Sequence, residues 1–248
     1  MKKTVLFFLL LIMVVSVLQG CGSKTVIRRT NDELMADAEK FSQERKYDKA
    51  ISSLKRVRES YPPPELAARA EIKIADAYFN NKDYIEAAAE YDGFRKLYPK
   101  HERAGYALFK QGLSYYRQVG KIDTDQTPVK NAQITFDSYL LQYPDGEHTT
   151  EARDNIKDCI DRQLQYEIYV GNFYLRTDKP KAALGRFEKA FKDFPGMKSR
   201  DSLYLNLGKA YLATDQKQKC RETLELLFKE FPGSIYIKPA KGVMDKCQ

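Results

Sequence analysis

Residues 183–195 read ALGRFEKAFKDFP, and this stretch decides the fold. It is an amphipathic helical run that closes on the aromatic-proline pair Phe194-Pro195. Proline cannot continue a helix, so the pair marks a helix end. The same pair closes other helical runs of the chain, at Tyr61-Pro62, Tyr98-Pro99, Tyr143-Pro144 and Phe231-Pro232. Self-similarity on this scale predicts a solenoid built of helical repeats.

The tetratricopeptide repeat (TPR) accounts for these recurring aromatic-proline pairs. It has 34 residues in two antiparallel helices, with a proline near position 32 and small residues at positions 8 and 20, where the helices approach each other. When each proline is placed at position 32, repeats 1, 2, 4 and 5 have a small residue at position 8 and an aromatic residue at position 11. Repeat 3 fits the same pattern only when its two helices are aligned separately. Position 8 holds Ala38, Ala75, Gly112, Gly171 and Gly208, and position 11 holds Phe41, Tyr78, Tyr115, Tyr174 and Tyr211. We therefore predict an all-α TPR solenoid of five helix-turn-helix repeats.

Repeat 3 carries an insertion between its two helices, GKIDTDQTPVK at residues 120–130. The helices are separated by about eight residues more than the repeat expects. Asp123 and Asp125 stand in the D-x-D-x-T spacing that begins a calcium loop. An EF-hand would need a bidentate glutamate at position twelve, where this chain has Ile134, so calcium binding is a poor interpretation.

A joint between helices is the better interpretation of the insertion. Thr127 is placed to cap the next helix, Pro128 suits the first helical position and Asp125 suits the positive end of the helix. Gly120 is placed to end the preceding helix. An inserted loop on one side of a repeat array is also a natural partner contact, which makes Asp123 and Asp125 candidate partner-binding residues.

A second long interval, between Pro144 and Pro195, is helical in character. Residues 148–177 contain no helix breaker until Thr177-Asp178, so we predict one helix of about 28 residues from near Glu147–Thr150 into repeat 4. This helix separates two groups of repeats. The predicted organisation is repeats 1–3 at 30–144, the long helix with repeats 4–5 at 145–233, and a C-terminal capping tail at 234–248.

The first twenty residues have the pattern of an export signal. A basic start precedes an apolar run too short to span a bilayer comfortably, which predicts a signal peptide at residues 1–20. The run ends in LQGC, which resembles the lipobox of bacterial lipoproteins. That resemblance implies acylation of Cys21 with an N-acyl chain and an S-diacylglycerol, and a lipidated linker at residues 21–29. Gly22, where an inner-membrane protein would carry aspartate, favours the outer membrane. An ordinary secretory signal followed by a chance cysteine is the alternative.

Composition and motif searches indicate a binding protein. The formal charge of +8 is modest for an exported chain and makes nucleic acid an unexpected partner. No nucleophile elbow, P-loop or zinc-protease motif occurs, and no cofactor is expected beyond the lipid on Cys21. His101 and His148 lie in inter-repeat turns and are expected at the surface. Cys220 and Cys247 are able to form a disulfide in an oxidising compartment, but Cys220 also suits a helix packing position, so the sequence leaves both alternatives open.

A peptide groove is predicted on the first helices of repeats 2 and 3. Positions 2, 5, 9, 12 and 13 of the first helix line the groove of TPR arrays, and here they provide aromatic rings with arginines. The candidate residues are Arg69, Phe79, Tyr106, Phe109, Tyr116 and Arg117. Such a surface suits a peptide with aromatic side chains and a free carboxylate. Packing of single rings between successive repeats is the alternative use.

These features together resemble the BamD family, lipoproteins of the outer-membrane β-barrel assembly (BAM) machinery. The residues that carry the resemblance are the lipobox, the five aromatic-proline repeats, DQTP at 125–128, YPDGEHTTEARDNI at 143–156 and YEIYVGNFYLR at 166–176. The resemblance implies a scaffold held on the periplasmic side of the outer membrane. It implies binding to BamA through the C-terminal repeats, with Arg186 facing that contact, and to other BAM lipoproteins. It also implies that the N-terminal repeats recognise the C-terminal peptides of unfolded outer-membrane proteins.

Two other functions compete with this one. A periplasmic TPR protein of the Tol–Pal system for cell-wall coordination shares tyrosine-proline repeats, but it would carry a coiled-coil N-terminus and no lipobox cysteine. A wall hydrolase on a helical superhelix would need a catalytic domain, and the repeats occupy nearly all of the chain. We therefore expect a non-catalytic scaffold.

Overall fold

The repeats form helical hairpins in the order that the sequence predicts. The structure is a computed structural model that describes residues 29–247, so the predicted signal peptide and Cys21 lie outside the described residues. The helices of the described part are α1 (Asn31–Gln43), α2 (Tyr47–Glu59), α3 (Pro64–Asn81), α4 (Tyr84–Leu97), α5 (Ala104–Arg117), α6 (Thr127–Gln142), α7 (Thr149–Arg176), α8 (Pro180–Asp193), α9 (Arg200–Ala213), α10 (Lys217–Glu230) and α11 (Ile237–Met244). No strand occurs between residues 29 and 247. The predicted all-α TPR architecture is therefore confirmed.

Small residues at position 8 allow the two helices of a repeat to touch. A Cβ atom added to Gly112 would lie 2.7 Å from Phe136. A Cβ on Gly171 would lie 2.2 Å from Phe187, and one on Gly208 would lie 2.8 Å from the Leu224 side chain. The large partner is the residue at position 24 of the same repeat. The hairpin is thus set by a small residue on one helix that receives a large side chain from the other.

The long helix α7 joins the two groups of repeats. It has the predicted 28 residues and begins at Thr149. Ala152 and Cys159 in its first part belong to the apolar cluster of repeat 3. Leu164 and Ile168, further along, belong to the cluster of repeats 4 and 5. One rigid element therefore contributes to both cores.

The C-terminal tail closes the array. Helix α11 and the short 3₁₀ helix that follows it pack on α9 and α10. A disulfide joins Cys220 to Cys247 with a Cα–Cα distance of 6.2 Å, and both residues are fully buried. The alternative that the sequence left open is thereby decided in favour of the bridge. It ties the cap to the second helix of repeat 5.

The inserted joint of repeat 3 differs in detail from the prediction. Helix α5 ends at Arg117, before Gly120, so this glycine does not terminate it. Helix α6 begins at Thr127 with Pro128 in its first turn, as expected, but Thr127 makes no side-chain cap. Asp125 caps instead, because its Oδ1 accepts hydrogen bonds from the Thr127 backbone N–H at 2.9 Å and the Thr127 hydroxyl at 2.8 Å.

Candidate functional site

The first helices of repeats 2 and 3 and the start of α7 form one continuous surface, which we call the first-helix face. Tyr106 on α5 donates a hydrogen bond from its hydroxyl to Asp76 Oδ1 on α3, at 2.8 Å. Tyr116, also on α5, donates to Asp158 Oδ2 on α7, at 2.5 Å. These bonds connect three successive elements through the predicted groove residues. Tyr106 and Tyr116 are half-buried, so part of each ring remains accessible.

Asp76 is the polar centre of the face. It accepts hydrogen bonds at Oδ1 from Tyr91, at 2.6 Å, and from Tyr106. Arg103 Nη2 lies 3.8 Å from the other carboxylate oxygen, and its guanidinium stacks on the Tyr106 ring at 4.4 Å from the centroid. Burial and the Asp76 charge raise the pKa of Tyr106 far above its ordinary value, so this phenol remains a hydrogen-bond donor at any physiological pH.

The link between Tyr116 and Asp158 contains a third member. Arg162 donates from Nε to Asp158 Oδ2 at 2.7 Å, and its guanidinium lies 5.6 Å from the Tyr116 ring centroid. Burial alone would raise the pKa of Asp158. The hydrogen bonds from Tyr116 and Arg162 outweigh burial and hold that pKa below its usual value. The Tyr116 hydroxyl therefore joins α5 to α7, and only part of the ring remains accessible.

Phe79 shares the face with a lysine that is not among the predicted groove residues. Lys110 Nζ lies 3.3 Å from the centroid of the Phe79 ring. The same ring contacts Tyr84 edge-on at 5.4 Å between centroids. Lys110 follows Tyr106 by four residues on a helix, a spacing that places both on one side, and this was the signal available in the sequence.

The prediction that Phe109 lines the groove is wrong. Its side chain is 2% exposed and packs against Phe136 and Tyr139, at 5.7 Å and 5.6 Å between centroids. His148 stacks on it with ring centroids 4.2 Å apart and planes 10° from parallel. Helix α6 and the turn that leads into α7 therefore cover this position. For the same reason His148 is half-buried and does not lie at the surface as expected.

His101 is also a packed side chain. Its ring contacts Phe94 edge-on at 5.3 Å between centroids, and its Nδ1 accepts a hydrogen bond from the Arg103 backbone N–H at 3.0 Å. It is half-buried, so the expectation of a surface histidine fails here too. The two histidines stabilise inter-repeat turns because a planar ring fills the space beside the aromatic-proline pair.

The predicted arginines of the groove are solvent-exposed. Arg69 lies on α3, and Arg117 is the last residue of α5. The structure thus brings Phe79, Tyr106 and Tyr116 onto the first-helix face with exposed positive charge at its ends.

Tyr61 is the exception among the aromatic-proline pairs. Its side chain is 94% exposed and its backbone has φ of +53°, a left-handed conformation that is costly for a tyrosine. The other four aromatic residues of the pairs are half-buried: Tyr98, Tyr143, Phe194 and Phe231. Sequence similarity between the pairs gave no sign of this difference.

A second candidate surface surrounds Arg186 on α8. Its Nη1 donates to Glu167 Oε2 on α7 at 2.8 Å, and its side chain is 41% exposed. The bond to Glu167 raises the pKa of the Arg186 guanidinium above its ordinary value. Arg186 therefore carries an ion pair within the chain while one side of the guanidinium faces solvent.

The inserted loop places both of its aspartates at the surface. Asp125 is engaged in capping α6, and the backbone N–H of Thr127 lowers the pKa of its carboxyl. Asp123 is exposed at the tip of the loop. Of the two, only Asp123 presents a carboxylate without a capping role.

Two further features of the described residues bear on function. Between residues 29 and 247, no three histidine, cysteine, aspartate or glutamate side chains converge as they would to hold a metal ion. Among the helices of that same range, none combines the length and the apolar character that crossing a bilayer requires.

Comparison with known families finds one that spans the array. The family model YfiO, described as an outer membrane lipoprotein, matches residues 28–226. The outer membrane protein assembly factor BamD of Vibrio cholerae is 26% identical over 209 residues, which cover 79% of this chain and 87% of that protein. BamD of Caulobacter vibrioides is 28% identical over 142 residues, which cover 57% of this chain and 47% of the relative.

Comparison with solved structures returns TPR proteins. The TPR2AB domain of yeast Sti1, solved as a complex with pHSP90, aligns with a TM-score of 0.45 and 13% identity, covering 88% of this chain and 98% of that one. The TPR domain of P58(IPK) aligns with a TM-score of 0.44 and 14% identity, covering 88% of this chain and 55% of that one.

Proposed function

The chain belongs to the YfiO/BamD family of outer membrane lipoproteins, and from that premise we propose that it is a non-catalytic scaffold of outer-membrane β-barrel protein assembly. The observation that carries the proposal is the family match itself, which extends over residues 28–226 and so includes all of repeats 1–4 and most of repeat 5. A repeat array with a polar first-helix face is suited to binding extended partners.

A lipid anchor at Cys21 is the first part of the proposal. Acylation with an S-diacylglycerol and an N-acyl chain would hold the array at the periplasmic face of the outer membrane, because several acyl chains anchor stably where one does not. Cys21→Ser should release the protein from the outer-membrane fraction. Intact mass of the purified wild type should show the added lipid; an unmodified Cys21 would refute the anchor.

BamA binding through the C-terminal repeats is the second part, with Arg186 as a contact. Arg186→Glu should reduce co-purification of BamA. Because Arg186 also pairs with Glu167, the reversal would place two carboxylates side by side and disturb α7 and α8. Glu167→Gln is the matched control, since it breaks the same ion pair and leaves the arginine in place. Equal loss in both variants would assign the effect to the pair and not to a BamA contact.

Client binding on the first-helix face is the third part. The proposed ligands are C-terminal peptides of unfolded outer-membrane proteins, and the proposed contacts are Arg69, Phe79, Tyr106, Tyr116 and Arg117. Arg117→Ala should weaken peptide binding and leave thermal stability unchanged, because this side chain is exposed at the end of α5. Tyr116→Phe keeps the aromatic ring and removes the hydroxyl that bonds Asp158, so it tests the ring alone. Unchanged peptide affinity in Arg117→Ala and Tyr116→Ala would refute the groove.

The inserted loop is the fourth part, as a contact for BamA or another BAM lipoprotein. Asp123→Lys tests it cleanly, since Asp123 has no capping role. Asp125→Lys would also remove the cap of α6 and is the less informative variant. Pull-down from solubilised outer membrane should recover fewer BAM components with Asp123→Lys, and recovery of Tol–Pal components by the wild type would favour that competing function.

A further inference from the structure

Lys110 is a half-buried cation of the first-helix face. Its Nζ lies against the Phe79 ring, and no carboxylate among residues 29–247 forms an ion pair with it. Two neighbouring cations of the same face are engaged within the chain, Arg103 beside Asp76 and Arg162 on Asp158. Lys110 differs from these two cations, because no carboxylate of the described residues lies within ion-pair distance of its ammonium.

The surroundings of Lys110 disfavour an isolated charge. Burial lowers the pKa of its ammonium, and the nearby Arg117 charge acts in the same direction, while Asp76 and Glu151 act against them from beyond ion-pair distance. The π face of Phe79 compensates part of the lost hydration. A cation that is partly removed from water gains most from an anion that arrives with a ligand.

We propose that Lys110 binds the terminal carboxylate of a peptide held on the first-helix face. This inference rests on the proposed client-binding groove. It adds that the Lys110 ammonium would distinguish the C-terminal end of a peptide from an internal segment. Arg117 follows Lys110 by seven residues and so lies on the same side of α5, two turns further along. Arg117 is exposed at the end of α5, and Lys110 lies half-buried beside the Phe79 ring.

The charges around Lys110 act on the ligand as well. Asp76 and Glu151 both act on Lys110 through space, as does Arg117. A peptide carboxylate would be attracted by Lys110 and Arg117 together, while Asp76 and Glu151 would weaken that attraction.

The test compares one peptide in two forms. A synthetic peptide that ends in phenylalanine is titrated, with a free carboxylate or as the C-terminal amide, onto the whole protein by calorimetry. The wild type should bind the free acid about tenfold or more tightly than the amide, the range expected of one charge-assisted hydrogen bond. Lys110→Met should remove this preference and leave the affinity for the amide unchanged, because methionine keeps the apolar contact with Phe79. Lys110→Arg should retain it.

The remaining outcomes distinguish a failure of the proposed role of Lys110 from a failure of the proposed groove. Lys229→Met removes one exposed positive charge from α10 and is the control for net charge; it should bind both forms as the wild type does. Equal binding of acid and amide by the wild type, or a preference that survives in Lys110→Met, overturns the role of Lys110 while the groove stands. Failure of the wild type to bind either form overturns the groove and the inference together.

Discussion

The two groups of repeats are built from the same hairpin but hold together differently. In repeats 1–3 the buried apolar residues form three clusters, each made of one repeat and residues of the helix that follows it, such as Ile74 in the first cluster and Ala107 in the second. In repeats 4 and 5 a single cluster extends from Leu164 on α7 to Cys247 beyond α11. A solenoid is stabilised by each repeat and by each interface between neighbours. The comparison teaches that the C-terminal group has one shared core, whereas the N-terminal group is a series of smaller ones.

The connections between repeats differ as well. In the N-terminal group polar side chains cross from one repeat to the next: Arg58 pairs with Glu71 and Glu90, and Tyr106 binds Asp76. The C-terminal group also has a polar bond between repeats, from the Tyr211 hydroxyl to Glu188, but its repeats share one core and a disulfide at Cys220 ties the terminal cap to repeat 5. A half joined by polar bonds on its exposed face can adjust to a ligand more readily than one closed by a shared core.

The largest expected effect tests whether the C-terminal core is one unit. Phe187 and Phe136 hold position 24 in repeats 4 and 3, and both are fully buried. Truncation of either to alanine should cost about 3–5 kcal/mol of unfolding free energy. Hydrogen exchange should show loss of protection throughout α7–α11 for Phe187→Ala, but only around α5–α7 for Phe136→Ala. Equally local effects would contradict the shared core.

The disulfide provides the next largest effect. Reduction of the Cys220–Cys247 bridge should lower the free energy of unfolding by about 2–4 kcal/mol, because the bridge restricts the unfolded chain. Thermal denaturation with and without reductant measures the change. The variant that carries both Cys220→Ser and Cys247→Ser should not respond to reductant. A wild type that melts identically in both conditions would show that the bridge does not stabilise the cap.

Close packing at position 8 gives a smaller and sharper contrast. Gly171→Ala would place a Cβ within 2.2 Å of the Phe187 ring, and we expect it to cost about 1–3 kcal/mol or more through overpacking. Gly185→Ala on α8 is the matched control, since nothing lies within 4 Å of its added Cβ. It should stabilise the protein by about 0.5–1 kcal/mol. Urea denaturation of both variants measures the difference, and equal stabilities would contradict the close approach of α7 and α8.

The smallest effect concerns the polar bonds of the N-terminal group. Tyr106→Phe removes the hydroxyl that bonds Asp76 and should cost about 0.5–1.5 kcal/mol, because Asp76 keeps its bond from Tyr91. Urea denaturation is again the measurement. Tyr169→Phe is the control, since Tyr169 is partly exposed on α7 and should change stability little. Identical costs in the two variants would show that the bond between repeats does not contribute.

Much of the fold was predictable because residues close together in the sequence determine each helical hairpin. Proline ends each second helix, and a small residue faces a large one within each repeat. The length of α7 followed from an interval without breakers. The candidate site was less predictable. Phe109 was expected in the groove from its repeat position, but α6 and the turn that leads into α7 arrive from a later part of the chain and cover it.

The sequence by itself determined the repeat class, the register of its packing positions, the long helix and the family. These follow from patterns within about one repeat length, where helix periodicity and proline act. The tertiary structure alone decided that Cys220 meets Cys247 and that Lys110 lies on the Phe79 ring. It also decided that Tyr61 is exposed while the other four aromatic residues of the pairs are half-buried. Those outcomes depend on contacts between side chains that are far apart in the sequence. A local sequence pattern does not specify which of these side chains meet.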